Sequence, residues 1–89
     1  MYFTYILKSS SNNRYYIGYS SDLDERLQKH NAGYSKATKS GVPWNIVWSH
    51  SFDSKSDAIK LEKWLKKMKS AEFLDKVIRG EIDISKALR

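Results

Sequence analysis

Two short runs rich in aromatic and β-branched residues open the chain, residues 2–8 (YFTYILK) and 14–19 (RYYIGY), and only the polar residues 9–13 separate them. Such side chains favour strands. Two strands joined by so short a polar turn must fold back on each other as an antiparallel hairpin. If Lys8 pairs with Asn13, Tyr5 stands opposite Tyr16 on one face, and a slip of one residue would separate them. A lone hairpin is barely stable in water, so the rest of the chain has to cover it.

Residues 22–31 read as a helix. Ser21 or Asp22 can cap it, Glu25 lies three beyond Asp22, Leu23 and Leu27 form an apolar stripe, and Gly33 follows the end. Residues 32–43, with Gly33, Gly41 and Pro43, read as a long loop. Residues 44–52 read as a third strand centred on Ile46, Val47 and Trp48. Ser54 or Ser56 then opens a helix in which Ala58, Leu61, Trp64, Leu65 and Met68 recur at helical spacing. Ser70 caps a further helix with Phe73, Leu74, Val77 and Ile78 on one face and Gly80 at its end. Residues 81–89 read as a weakly structured C-terminal tail. The order ββαβαα predicts an α+β fold, a three-stranded antiparallel sheet flanked by helices, within one domain over residues 1–89.

With 89 residues and no Cys, the domain can rely on neither disulfides nor a thiolate zinc site, and a Cys nucleophile is excluded. Its large aromatics have to supply much of the core, and Trp44, Trp48 and Trp64 are expected there. No apolar run approaches the ~20 residues that cross a bilayer, and the start of the chain lacks the charged and apolar regions of a signal peptide. A cytoplasmic protein without membrane partners is expected. The net charge of +6 favours polyanionic partners, nucleic acid first. Lys60, Lys63, Lys66, Lys67 and Lys69 concentrate it, with Glu62 the one acid among residues 60–69.

Five residues stand out chemically: Tyr5, Tyr16, Arg26, His30 and Glu62. Each has an ordinary structural explanation. The tyrosines can be a cross-strand core pair, Arg26 can pair with Asp22, His30 can sit at a helix C-terminus, and Glu62 can pair with Lys66 one turn on. The chemical alternative is that Arg26 and His30, four apart on one helix face, join the tyrosines, while Glu62 offers a hard oxygen ligand of the kind Mg²⁺ takes.

The pattern resembles the GIY-YIG endonuclease superfamily. Tyr16-Ile17-Gly18 is similar to the YIG half of its signature, and Phe3-Thr4-Tyr5 stands where the GIY half belongs, eleven residues earlier between the two tyrosines. The stretch 22–31 (DLDERLQKHN) resembles the family's next motif, with Arg26 ten residues after Tyr16. Leu61-Glu62-Lys63 lies where the family places its metal-binding Glu. The resemblance covers residues 2–69 and is nearest to short stand-alone bacterial members, similar to the nuclease domain of the excinuclease. Phe3 and Thr4 replace the Gly and Ile of the first motif, and residues 70–75 lack the Asn that many members carry beyond the metal Glu.

The resemblance implies a metal-dependent endonuclease that hydrolyses phosphodiester bonds, DNA before RNA, in repair or turnover. One Mg²⁺ or Mn²⁺ ion would be held by Glu62, and Arg26 would grip the phosphate with its fork of donors. Tyr5 or Tyr16, with Tyr16 slightly preferred, would deprotonate the attacking water, and His30 would accept a phenolic proton or orient the ring. Gly18 would let backbone approach closely. Lys36 and Lys39, in the loop with Tyr34, and Lys60, Lys63 and Lys67 on the basic helix are candidate contacts to nucleic acid. The competing expectations are a nucleic-acid-binding module of the same fold with little or no turnover, and a structural protein whose helical half docks on a partner.

Overall fold

In the computed structural model residues 1–68 and 70–88 are described; Lys69, the last of the basic run, and Arg89, the last of the tail, lie outside the described residues. The two opening runs form strands β1 (Tyr2–Ser9) and β2 (Tyr15–Ser20), and β3 (Trp44–Phe52) pairs on the other side of β1. Both pairings are antiparallel, in the order β2-β1-β3. The fold is the expected α+β arrangement of a three-stranded antiparallel sheet with helices.

The register departs from the expected one by two residues. Lys8 pairs with Tyr15, Leu7 with Tyr16 and Tyr5 with Gly18. Ser9 causes the shift. Its hydroxyl accepts from the N–H groups of Ser11 and Asn12 (3.1 Å each), its own N–H meets the Arg14 carbonyl, and Asn13 takes a left-handed conformation at φ 60°. The turn therefore ends one residue later on each side. A two-residue shift preserves faces, so Tyr5 and Tyr16 still point the same way, as diagonal neighbours.

Central strand β1 is covered on both faces. Ile6 joins Ile17, Leu61, Leu65, Leu74 and Val77 in one core. Tyr5, Leu7 and Trp44 form the other, with Tyr16, Leu23, Leu27, Val42 and Ile46 packed against it. Burying one leucine of this kind contributes about 1.5–3 kcal/mol. A bulge opposite Ile6 and Leu7 pairs these with Trp48 and Ile46, so Val47 is the extra residue. That bulge turns Trp48 towards one core and Ile46 and Trp44 towards the other. Trp44 is buried, and Trp48 and Trp64 are half-buried against the first core. Thr4, in the place of a family Ile, buries its hydroxyl by donating to the Ala58 carbonyl at 2.7 Å.

Helices α1 (Leu23–Asn31), α3 (Lys55–Met68) and α4 (Ala71–Ile78) begin after Asp22, Ser54 and Ser70, whose side chains accept from N–H groups three residues on. Within the expected loop a four-residue helix α2 (Lys36–Lys39) forms behind Ser35. Residues 84–88 make a short 3₁₀ turn, Ile84–Leu88, and Ile82, Ile84 and Ala87 pack against the first core. Among the described residues no helix is long and apolar enough to cross a membrane.

Candidate active site

The Asp22 cap sets the phase of α1. Leu23, Leu27 and His30 fall on the sheet side at i, i+4 and i+7, and Arg26 lies on the flank between them. His30 is thereby driven inwards to 3% exposure, beside Tyr5 at 2%. The Tyr5 hydroxyl lies 3.0 Å from His30 Nε2, and His30 Nδ1 lies 2.8 Å from Thr38 Oγ1. Thr38 Oγ1 is 3.5 Å from the Ser35 carbonyl, which can only accept. With its proton turned there, Thr38 accepts from Nδ1–H, and Nε2 is left to accept the Tyr5 proton. Burial first, then the Arg26 cation, hold His30 below the ordinary imidazole range. Burial above all pushes the Tyr5 phenol up; Tyr16 and Glu62 add to this, and Arg26 opposes it. At neutral pH the pair is a neutral phenol on a neutral imidazole.

Gly18 faces Tyr5 across the hairpin, and a Cβ built there would lie 2.5 Å from the Tyr5 hydroxyl and 2.7 Å from its ring. The close approach at Gly18 is thus made by the Tyr5 side chain, where the sequence led us to expect backbone. Gly18→Ala is expected to expel the phenol from His30 and to cost about 1–3 kcal/mol of stability, as overpacking does. Urea unfolding measures it, and an unchanged midpoint would contradict the contact.

Tyr16 sits beside this pair. Its ring meets His30 edge-on at 4.9 Å between centroids and Trp44 at 6.4 Å. Outside it, a cleft of about 300 Å³ wraps the free edge of β2. Tyr5, Tyr16 and Gly18 line it from one face of the sheet, Tyr2 and Tyr19 from the other, Arg26 from α1, and Lys55 and Glu62 from α3. Four of the five singled-out residues thus meet in one cleft, and His30 stands directly behind it.

Glu62 reaches the cleft because α3 buries Ala58, Leu61 and Leu65, which leaves Glu62 and Lys55 on the flank nearest β2. Its side chain is only 14% exposed, and Lys66 Nζ pairs with it at 3.5 Å while standing 6.0 Å from the Tyr16 ring centre. Among the described residues no three His, Asp or Glu gather around a common point. One carboxylate at an open cleft fits a hard divalent cation that keeps most of its waters.

Lys60, Lys63 and Lys67 are exposed on the side of α3 opposite its buried stripe, away from the cleft. Lys36 and Lys39 are exposed on α2, outside the linings. Lys55, which no motif in the sequence marks, is the lysine in the cleft. Thr38 escapes sequence reasoning as well. A threonine in a polar loop carries no signal until the fold brings it to His30.

The GIY-YIG catalytic domain family matches residues 1–75, which include every residue lining this cleft. The chain belongs to the GIY-YIG family. This is a family of nucleases, whose substrates are nucleic acids. Among GIY-YIG relatives, the UPF0213 protein YsiG of Lactococcus lactis is 46% identical over 66 residues, 73% of this chain and 62% of that protein. A UPF0213 protein from another strain of that species is 41% identical over 73% of this chain and 66% of its own length. The chain thus spans less than two thirds of these two relatives. A UPF0213 protein of Halobacterium salinarum is 36% identical over 81% of this chain and 94% of its own length. The solution structure of the UPF0213 protein BH0048 from Bacillus halodurans shares the fold, with a TM-score of 0.55 and 30% identity over 89% of this chain and 84% of that one.

Proposed function

We propose that this protein is a divalent-metal-dependent endonuclease hydrolysing phosphodiester bonds, with DNA as the first substrate to test, in repair or turnover within the cytoplasm. The observation that carries this reading is the convergence of Tyr16, Arg26 and Glu62, from three separate elements, on one open cleft. Hydrolysis needs a water in line with the leaving oxygen, charge to match the phosphate, and a base. Arg26 has no ion pair among the described residues, so its fork is available to the non-bridging oxygens. A Tyr16 phenolate would take the proton of the water. Tyr5 and His30 hold each other, and His30 in turn braces the Tyr16 ring. Glu62 would bind the metal, which when bound supplies positive charge to the phosphate and the leaving oxygen.

Purified protein incubated with labelled DNA and RNA is expected to cleave with Mg²⁺ or Mn²⁺ and to stop when the metal is chelated. Cleavage that persists in chelator would remove the metal from the reading. Salt-sensitive binding with no cleavage of any substrate would replace it by a binding module of the same fold.

A further inference from the structure

Five of the six tyrosines are buried or half-buried; Tyr34 is 77% exposed. A single exposed ring is ordinary by itself; the setting of this one, beside Tyr16 and Arg26, is not. Gly33, at φ 79°, turns the chain out of α1, and the N–H groups of Gly33 and Tyr34 return to the carbonyls of His30 and Lys29, both at 3.2 Å. The next residue, Ser35, opens α2, and its carbonyl receives the Thr38 N–H at 3.2 Å. The backbone of Tyr34 is therefore fixed by the same helix that carries Arg26 and His30, while the ring is left to solvent. Tyr34 shares a second cleft, of about 270 Å³, with Tyr16, Arg26, Lys29 and His30. Tyr16 and Arg26 line both clefts, so the second continues the first.

We infer that Tyr34 is a stacking platform for a nucleobase adjacent to the phosphate held in the first cleft. The inference rests on the nuclease reading above and names the substrate class for the same site: a strand whose base beside the scissile phosphate is unpaired. The chemistry is that of single-strand binding. A flat ring takes the face of any base, and neighbouring cations follow the backbone. Here Arg26 and Lys29 lie in the cleft and Lys36 two residues beyond the ring. A base inside a duplex has both faces occupied by its own stack and cannot offer one to Tyr34. Single strands, flaps, gaps and frayed ends can.

Binding measured in chelator, to suppress turnover, tests this. The probes are fluorescein-labelled single strands of DNA and of RNA and the matching DNA duplex, read by anisotropy. Tyr34→Ala is expected to weaken single-strand binding about tenfold or more while duplex binding stays within about twofold, since a base on an aromatic ring contributes that much. Tyr34→Phe, which keeps the ring face, should bind as wild type, and Tyr34→Leu, apolar but not flat, should resemble the alanine variant. The side chain is exposed, so the unfolding midpoints should coincide. A loss on either single strand supports the platform and names the nucleic acid. Equal binding by Tyr34→Ala and wild type, equal losses on single strand and duplex, or a Phe variant as weak as the Ala variant would overturn it. Wild-type protein that binds no nucleic acid at all would overturn the nuclease reading beneath it.

Discussion

Tyr16→Phe is expected to lower metal-dependent cleavage by about 10²–10⁴-fold, the usual contribution of a positioned base, and to leave stability nearly unchanged. Tyr16 keeps its contacts through the ring, and those with His30 and Trp44 survive loss of the hydroxyl. Tyr5→Phe should behave differently. The Tyr5 hydroxyl is the partner of His30 Nε2 in a nearly closed interior, and leaving that nitrogen unsatisfied costs about 1–3 kcal/mol. Its cleavage defect should be smaller and should follow the loss of packing behind Tyr16. Single-turnover cleavage and urea unfolding on the two variants separate these roles. The reverse pattern, with activity lost in Tyr5→Phe and stability lost in Tyr16→Phe, would reassign the base.

This asymmetry between two tyrosines was not legible in the sequence. Both sit in strand-forming runs, and parity along the hairpin could say only that they share a face. The actual register depends on a Ser9 hydroxyl gathering two backbone N–H groups, a local competition with ladder pairing that alternation patterns do not encode. The result sets Gly18 rather than Tyr16 opposite Tyr5, and it is the missing Cβ of Gly18 that lets the phenol reach His30. The helices were easier to read because their caps and stripes are local: Asp22, Ser54 and Ser70 each start a helix, and Leu61 and Leu65 lie inside.

The distribution of charge was the least legible feature. The lysine run marked α3 as a basic helix, with Lys60, Lys63 and Lys67 as candidate contacts, but helical geometry divides the run. Lys60, Lys63 and Lys67 face solvent opposite the core, Lys66 turns to Glu62, and the lysine in the cleft is Lys55 at the start of the helix. Their effect on polyanions is therefore a general field around the domain, which salt screens. Arg26 and Lys55 lie within the cleft itself. In the same way the β3 bulge, which sends Ile46 and Trp48 to opposite cores, follows from the need to cover both faces of β1 and leaves no mark in the run of apolar residues.

Glu62→Gln tests the other half of the site, and the contrast between activity and stability is what makes it informative. The substitution keeps the shape, removes the charge and turns one acceptor oxygen into a donating NH2. If Glu62 served just as the partner of Lys66, the change would cost on the order of 1 kcal/mol or less, since Lys66 is half-exposed and such pairs are weak, and cleavage would continue. If Glu62 holds the cation, stability should shift by that same small amount while cleavage falls by about 10²-fold or more, the scale on which a lost charge-stabilising group acts in hydrolysis. Raising the Mn²⁺ concentration should recover part of the loss, because the carboxylate sets affinity for the ion. Lys66→Gln is the matched control. It breaks the same ion pair from the other side and frees Glu62, so cleavage should survive. Equal defects in the two variants would show that the pair, rather than the carboxylate, is what the site requires, and the metal would then have to be sought elsewhere.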